Sequence, residues 1–193
     1  MKQIAIFASG GGSNAKKIIE HFNKLAQQGN APGKISLVVS NKPGAGVLKI
    51  AEENNIPILI IEKEKFFRGN GYMDELLAAG IDLVVLAGFL WKVPAGLIKA
   101  FPKKIVNIHP ALLPKYGGKG MYGHFVHEAV VANKEKESGI TIHYVDELYD
   151  HGQVIFQARC PLSENDSAEE VAKKVLMLEH RHYPEVIQSL VKE

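Results

Sequence analysis

The amino-acid sequence predicts an α/β fold: an open, mostly parallel twisted sheet with helices on both faces, a C-terminal antiparallel hairpin and a closing helix. Three observations carry that expectation. Short β-forming runs alternate with amphipathic helical stretches through residue 132, and repeated βα units build parallel sheets with crossover helices. Two strand-like runs then follow each other, 138–145 and 153–160, joined by the short link 146–152, which suggests antiparallel pairing. Finally Ser167 is followed three residues later by Glu170, the capping-box spacing that opens a helix.

The first strand is expected over residues 3–8, where the β-formers Ile4, Ile6 and Phe7 run into a glycine cluster. Residues 15–28 read as a helix with Ile18, Ile19, Phe22, Leu25 and Ala26 on one face. Asn30-Ala31-Pro32-Gly33 breaks it. A second strand follows at 35–40 and a second helix at 46–55. Residues 57–61 form a third strand whose unbroken apolar character predicts burial on both faces. The rhythm continues with a helix at 71–79, a very apolar strand at 81–87, a short helix at 94–100 with Pro94 early in it, and a fifth strand at 104–108. Residues 109–123 carry two prolines and four glycines and must be loop. Residues 124–132 are helical. The closing helix runs from Ser167 toward Val191, and Pro184 should kink or interrupt it.

A chain of 193 residues is the size of one domain. It divides into an N-terminal part, 1–105, of βα units and a C-terminal part, 106–193, holding the fifth strand, the hairpin and the last helix. With 46% hydrophobic and 23% charged residues it buries a core and excludes wholesale disorder. The one cysteine, Cys160, allows neither an internal disulfide nor a cysteine-based zinc site, and suits a reducing compartment. A net charge of +2 is too balanced for nucleic acid as the main partner. The apolar run 4–8 stops at once in Ser9-Gly10-Gly11-Gly12, unlike a signal peptide. No apolar run approaches the roughly 18 residues of a membrane span. The expected location is the cytoplasm, with no membrane partner.

Four constellations carry chemistry. Ser9-Gly10-Gly11-Gly12-Ser13-Asn14 lies between the first strand and first helix, where glycines admit a ligand and the helix N-terminus offers amides to an anion. The run fits a dinucleotide pattern, but the second strand ends at Ser40-Asn41 without the acid that dinucleotide sites place about 20 residues on. A monophosphate is therefore the favoured ligand. In Asn107-Ile108-His109-Pro110 the Asn and His project to the same side of a strand end, where they either cap a turn or stabilise an oxyanion and move protons. In Glu147-Leu148-Tyr149-Asp150-His151-Gly152 the Asp and Gly are ordinary turn residues, although an Asp beside His109 would orient its ring. Glu179 shares a helical face with Val175 and Leu176 and is either a margin residue or a partner for a cationic group. No H-E-x-x-H pattern accompanies the histidines, so no metal site is expected. Gly117-Gly118-Lys119-Gly120 is not a Walker loop, since no Ser or Thr follows Lys119. Trp91 fills core or walls a pocket.

Together these motifs resemble one family along nearly the whole chain. Ser9-Gly-Gly-Gly-Ser-Asn14, Leu86-Ala-Gly-Phe89, Asn107-Ile-His-Pro-Ala-Leu-Leu-Pro-Lys115, the Asp150-x-Gly152 turn and Glu179-His180 with Tyr183-Pro184 are similar to the phosphoribosylglycinamide formyltransferases, folate-dependent enzymes of purine synthesis. The resemblance implies a Rossmann-like formyltransferase fold, with residues 1–193 as a single formyltransferase domain. It implies Asn107, His109 and Asp150 as catalytic residues, and Gly11, Gly12, Ser13, Asn14 and Glu179 as the ribonucleotide site. Folate contacts would come from Arg68, Phe89, Leu90, Trp91, Lys92, Val93, Asn107 and Tyr149. The co-substrate would be 10-formyltetrahydrofolate and the acceptor glycinamide ribonucleotide, with no metal, in a monomer or homodimer. The chain departs from the commoner pattern in a longer Gly117-to-Gly123 segment and in Trp91, which stands where many relatives carry Arg.

The implied chemistry is amine attack on a formyl carbon, with Asn107 and a protonated His109 stabilising the oxyanion and Asp150 favouring the charged ring. Two other readings compete: a formyl-folate enzyme acting on another acceptor, including water, and a non-catalytic dinucleotide-binding module.

Overall fold

The structure, a computed structural model, describes residues 1–68 and 70–192. Seven strands form one sheet: β1 (Lys2–Phe7), β2 (Gly33–Ser40), β3 (Ile58–Ile60), β4 (Leu83–Leu86), β5 (Ile105–His109), β6 (Glu137–Tyr144) and β7 (Val154–Pro161). Their order across the sheet is β3-β2-β1-β4-β5-β6-β7. The five from β3 to β5 run parallel, whereas β6 and β7 are antiparallel. The helices are α1 (Ser13–Gln27), α2 (Gly46–Glu53), α3 (Lys63–Arg68), α4 (Met73–Ala78), α5 (Ala95–Ala100), α6 (His124–Ala132) and α7 (Ala168–Leu190).

Alternation along the strands sorts side chains into two cores. Ile4 and Ile6 of β1 and Ile140 and Ile142 of β6 face α1, α2, α6 and α7, with Ile18, Phe22, Val47 and Val175 among their partners. Ala5 and Phe7 of β1, with Leu86 and Ile105, face α3, α4 and α5 through Phe66, Leu76 and Leu97. The predicted open α/β sheet with helices on both faces, hairpin and closing helix is therefore the observed architecture.

Several expectations need correction. The third strand is not buried on both faces: β3 is a three-residue edge strand, bonded to β2 alone, with Ile60 exposed. An apolar run marks an edge strand as readily as a central one when it is this short. Lys63–Arg68 forms a helix that its charged sequence did not announce; Phe66 alone anchors it in the core. The helix expected from 71 starts at Met73, because Gly71 and Tyr72 take left-handed backbone conformations. His109 closes β5 rather than opening the loop.

Pro184 does not interrupt α7, which is continuous from Ala168 to Leu190 and carries the predicted capping box at Ser167. Both Pro184 and Tyr183 are buried against the sheet. The Tyr183 hydroxyl donates to the Leu86 carbonyl at 2.8 Å, and the Val106 carbonyl lies at 3.3 Å. One side chain thus ties α7 to β4 and β5. Burial holds its phenol far above the ordinary pKa, so it stays a donor. Tyr183→Phe leaves those carbonyls without that donor and should cost about 1–3 kcal/mol, read as a lower denaturant midpoint at unchanged slope.

Candidate active site

The chain moves outward from β1 to β2 and β3, then returns to place β4 on the other side of β1. Such a reversal opens a crevice beyond the carboxyl ends of the strands. A cavity of about 640 Å³ lies there, within the range of small-molecule sites. Loops after β1, β4, β5 and β6 build its walls.

The loop after β1 is shaped by close packing. A Cβ on Gly12, whose φ is +78°, would fall 2.7 Å from Val47. Gly12 caps α1 without a side-chain hydrogen bond, and no acid occupies the first turn, so the first amides of α1 remain available to an anion. Gly11 and Ser13 are exposed; neither they nor Gly12 line the cavity, whereas Asn14 does. Asn14 Nδ2 donates to Glu179 Oε2 of α7 at 2.6 Å. Of the two neighbours expected to share an inward face with Glu179, Val175 is buried but Leu176 points outward. Burial raises the Glu179 carboxyl above its ordinary value, with the Asn14 bond opposing. Asn14 Oδ1 is buried without a partner.

At the end of β5, Asn107 and His109 face the cavity together, as alternation predicts. Antiparallel register sets His143 of β6 opposite Asn107. The His143 Nδ1 lies 2.9 Å from the Tyr144 carbonyl. A carbonyl only accepts, so Nδ1 carries a proton and, in the neutral ring, Nε2 holds a lone pair. Asn107 Nδ2 donates to that Nε2 at 3.3 Å. Its second N–H is left for the cavity. The backbone at Tyr144 thereby fixes the orientation of the Asn107 amide through His143.

The same logic applies to His109. Its Nε2 donates to the Tyr116 carbonyl at 2.7 Å, which leaves Nδ1 as the acceptor, 3.5 Å from Asp150 Oδ2. His143 Nε2 lies 3.6 Å from Asp150 Oδ1. Asp150 itself accepts from the Gly118 amide at 3.0 Å. Burial depresses the His109 pKa despite the opposing pull of the Asp150 charge. Burial thus favours the neutral ring at rest. Burial would raise the Asp150 carboxyl, but the polar groups around it, the Gly118 amide among them, outweigh it and hold it below its usual range. A neutral base thus faces an ionised carboxylate.

Another part of the lining is largely apolar. Phe89, Leu90, Trp91, Val93 and Tyr149 line it, with Lys92 Nζ 5.4 Å from the Tyr149 ring centroid. Trp91 serves as wall and as packing, against Phe66 at 5.6 Å and Phe67 at 5.4 Å. Ser9 joins the two sides: its amide donates to the Gly88 carbonyl, and its hydroxyl accepts from the Leu90 amide at 2.9 Å. Arg68 does not reach the cavity. It is exposed on α3 and bonds Glu64 one turn earlier at 2.7 Å, the ordinary fate of a solvated i,i+4 pair. His151 is likewise outside, held by Asp146 at 2.7 Å.

Residues 2–187 match the formyl transferase family. The chain belongs to that family. A chloroplastic phosphoribosylglycinamide formyltransferase of Arabidopsis thaliana is 44% identical over all of this chain and 66% of its own length. One from Vigna unguiculata is 42% identical, with 62% of its length covered. The chain thus spans a little under two thirds of those plant relatives. The phosphoribosylglycinamide formyltransferase of Bacillus subtilis is 34% identical across 99% of this chain and 95% of its own. Among solved structures, glycinamide ribonucleotide transformylase 1 from Symbiobacterium toebii superimposes with a TM-score of 0.88 at 30% identity, covering 100% of this chain and 88% of that one. Phosphoribosylglycinamide formyltransferase from Bacillus halodurans gives 0.86 at 35%, covering 100% and 96%.

His143 is a cavity residue of this formyl transferase family member that the sequence alone did not single out. Its signal was its place two residues after Thr141 on a strand. Only the register with β5 turns that place into contact with Asn107 and Asp150. Thr141 contributes too, donating to the Ala111 carbonyl at 2.7 Å and accepting from the Leu113 amide at 3.0 Å, which pins the segment after His109.

Proposed function

We propose that this chain transfers the formyl group of 10-formyltetrahydrofolate to the amine of glycinamide ribonucleotide, giving formylglycinamide ribonucleotide and tetrahydrofolate in de novo purine (IMP) biosynthesis. The observation that supports the reading is that the Asn107–His143–Asp150–His109 cluster, the Asn14–Glu179 pair and the apolar residues around Trp91 all line one cavity. Asn14 and Glu179 meet the glycinamide end of the nucleotide, and the amides of Gly11, Gly12 and Ser13 take its phosphate. Phe89 to Val93 and Tyr149 hold the folate, without Arg68. Residues 1–193 act as one domain, with Glu179 of the C-terminal part completing the nucleotide site of the N-terminal part.

As the amine attacks the formyl carbon, the spare Asn107 N–H donates to the growing oxyanion, an interaction worth about 10²–10³ in rate per donor. His109 Nδ1 takes the amine proton directly or through water. The resulting imidazolium is stabilised by Asp150, and His109 returns the proton to the departing folate nitrogen, for roughly 10²–10⁴ more. Positioning of two bound reactants supplies much of the remainder. The cytoplasm remains our proposed location; the chloroplastic relatives make a plastid the second.

The test is a transfer assay with purified protein, glycinamide ribonucleotide, 10-formyltetrahydrofolate and a chelator. Folate release that requires the nucleotide and survives the chelator is expected. Equal release without the nucleotide would make the chain a hydrolase and overturn the assignment.

A further inference from the structure

The His109 ring stands between two acceptors. The Tyr116 carbonyl lies 2.7 Å from Nε2, and Asp150 Oδ2 lies 3.5 Å from Nδ1. A neutral imidazole has one N–H to give. The carboxylate draws that proton to Nδ1, and the carbonyl draws it to Nε2. Only the second choice leaves Nδ1 the lone pair that the reaction above requires. The position of one main-chain carbonyl therefore decides whether His109 is a base at Nδ1.

That carbonyl is held from outside the cavity. Tyr116 has φ +56°, a left-handed conformation that a bulky residue keeps only where its surroundings impose it. Its hydroxyl donates to Glu135 Oε1 at 2.9 Å, and Lys115 Nζ donates to the same oxygen at 2.9 Å. Lys115 is 66% exposed at its side chain and Glu135 only 23%, so the phenol is the more sheltered partner. Burial and the Glu135 carboxylate push the phenol up to about 12, and it stays a donor. Glu135 is itself fixed at the end of α6. The Lys134 and Glu135 amides donate to the Val131 and Val130 carbonyls at 2.9 and 3.2 Å, with Lys134 at φ +51°, a helix-closing pattern. Two residues after Tyr116, the Gly118 amide donates to Asp150 at 3.0 Å. One short stretch of backbone thus touches both His109 and Asp150.

We propose that Glu135 is a positioning residue for the reaction: through the Tyr116 hydroxyl it braces the Tyr116 carbonyl on His109 Nε2 and so keeps Nδ1 unprotonated against the pull of Asp150. The inference rests on the transfer mechanism above and deepens it. Glu135 touches neither His109 nor Asp150 by hydrogen bond and does not line the cavity.

The full chain, labelled with nitrogen-15 at histidine, is compared with Glu135→Ala, Glu135→Gln and Tyr116→Phe at about pH 8, above the depressed pKa of His109. Resonances missing from His109→Ala identify the ring. Wild type should show a protonated Nε2 and a bare Nδ1. In Glu135→Ala and Tyr116→Phe the proton should shift toward Nδ1. Their kcat for formyl transfer should fall about 10-fold, the weight of one charged hydrogen bond, with both KM values nearly unchanged. Glu135→Gln still offers the phenol an oxygen and should restore most of the tautomer and of kcat. Tyr116→Phe keeps the ring that packs against the core, so the test survives if Glu135→Ala does not fold. A His109 spectrum unmoved in the folded variants overturns the proposal, even with a lower Tm, because Glu135 then serves the fold alone. A loss carried by KM instead of kcat overturns it as well. A tautomer shift in the variants, with no nucleotide-dependent folate release by wild type, would sustain the brace and sink the transferase reading.

Discussion

In His109→Ala, kcat/KM for formyl transfer is expected to fall by about 10²–10⁴-fold while the fold persists, because the ring is held by polar contacts at a strand end rather than by the main apolar clusters. The pH profile gives the sharper test. In the proposed mechanism neutral His109 is the active form, and burial places its pKa below the ordinary 6.5. The fraction of working enzyme therefore rises as pH increases through a value under 6.5, and the acid limb of kcat/KM lies there. Asp150→Asn removes the charge that pulls this pKa upward. Its acid limb should move to still lower pH, while the plateau drops because the imidazolium loses its counter-charge. An acid limb that stays in place, or moves up, would sink the assignment of that limb to His109.

Gly152→Ala is expected to be nearly as damaging, through geometry. A Cβ at Gly152 would lie 1.7 Å from the Tyr144 carbonyl oxygen and 2.7 Å from its carbon. Backbone must move to admit it. That carbonyl is the acceptor that fixes the His143 proton, and Asp150 is two residues away. Overpacking of this kind costs about 1–3 kcal/mol, seen as a lower Tm. The larger effect should fall on kcat, as His143, Asn107 and Asp150 lose their common alignment. A Gly152→Ala protein that keeps wild-type kcat would show that the Tyr144 carbonyl does not set the site.

Much of this was legible from the chain itself, for definite reasons. Alternation placed Asn107 and His109 on one side of a strand, and the glycine run after β1 announced an open helix end. The Ser167 and Glu170 spacing marked the start of α7 to the residue. What escaped depended on distances between remote segments. His143 acquires meaning only through the β5–β6 register. The neutral state of His109 follows from burial, which the motif does not encode. Arg68 looked available because a single sequence cannot show that Glu64, one turn earlier, already holds it. Pro184 inside α7 went against local propensity, and tertiary anchoring through Tyr183 prevailed.

The Ser9 bridge has a consequence for tolerance. The amide and hydroxyl of one small side chain couple the loop that would carry the nucleotide to the loop that would carry the folate, and the parent strands β1 and β4 are adjacent. Neighbouring strands are spaced at about 4.8 Å. Under the proposed reaction, the gap between nucleophile and formyl carbon would thus be gauged by a sheet, whose spacing barely varies, instead of by two loops that could drift apart. Alignment of the reactants would then be a property of the stiffest part of the molecule.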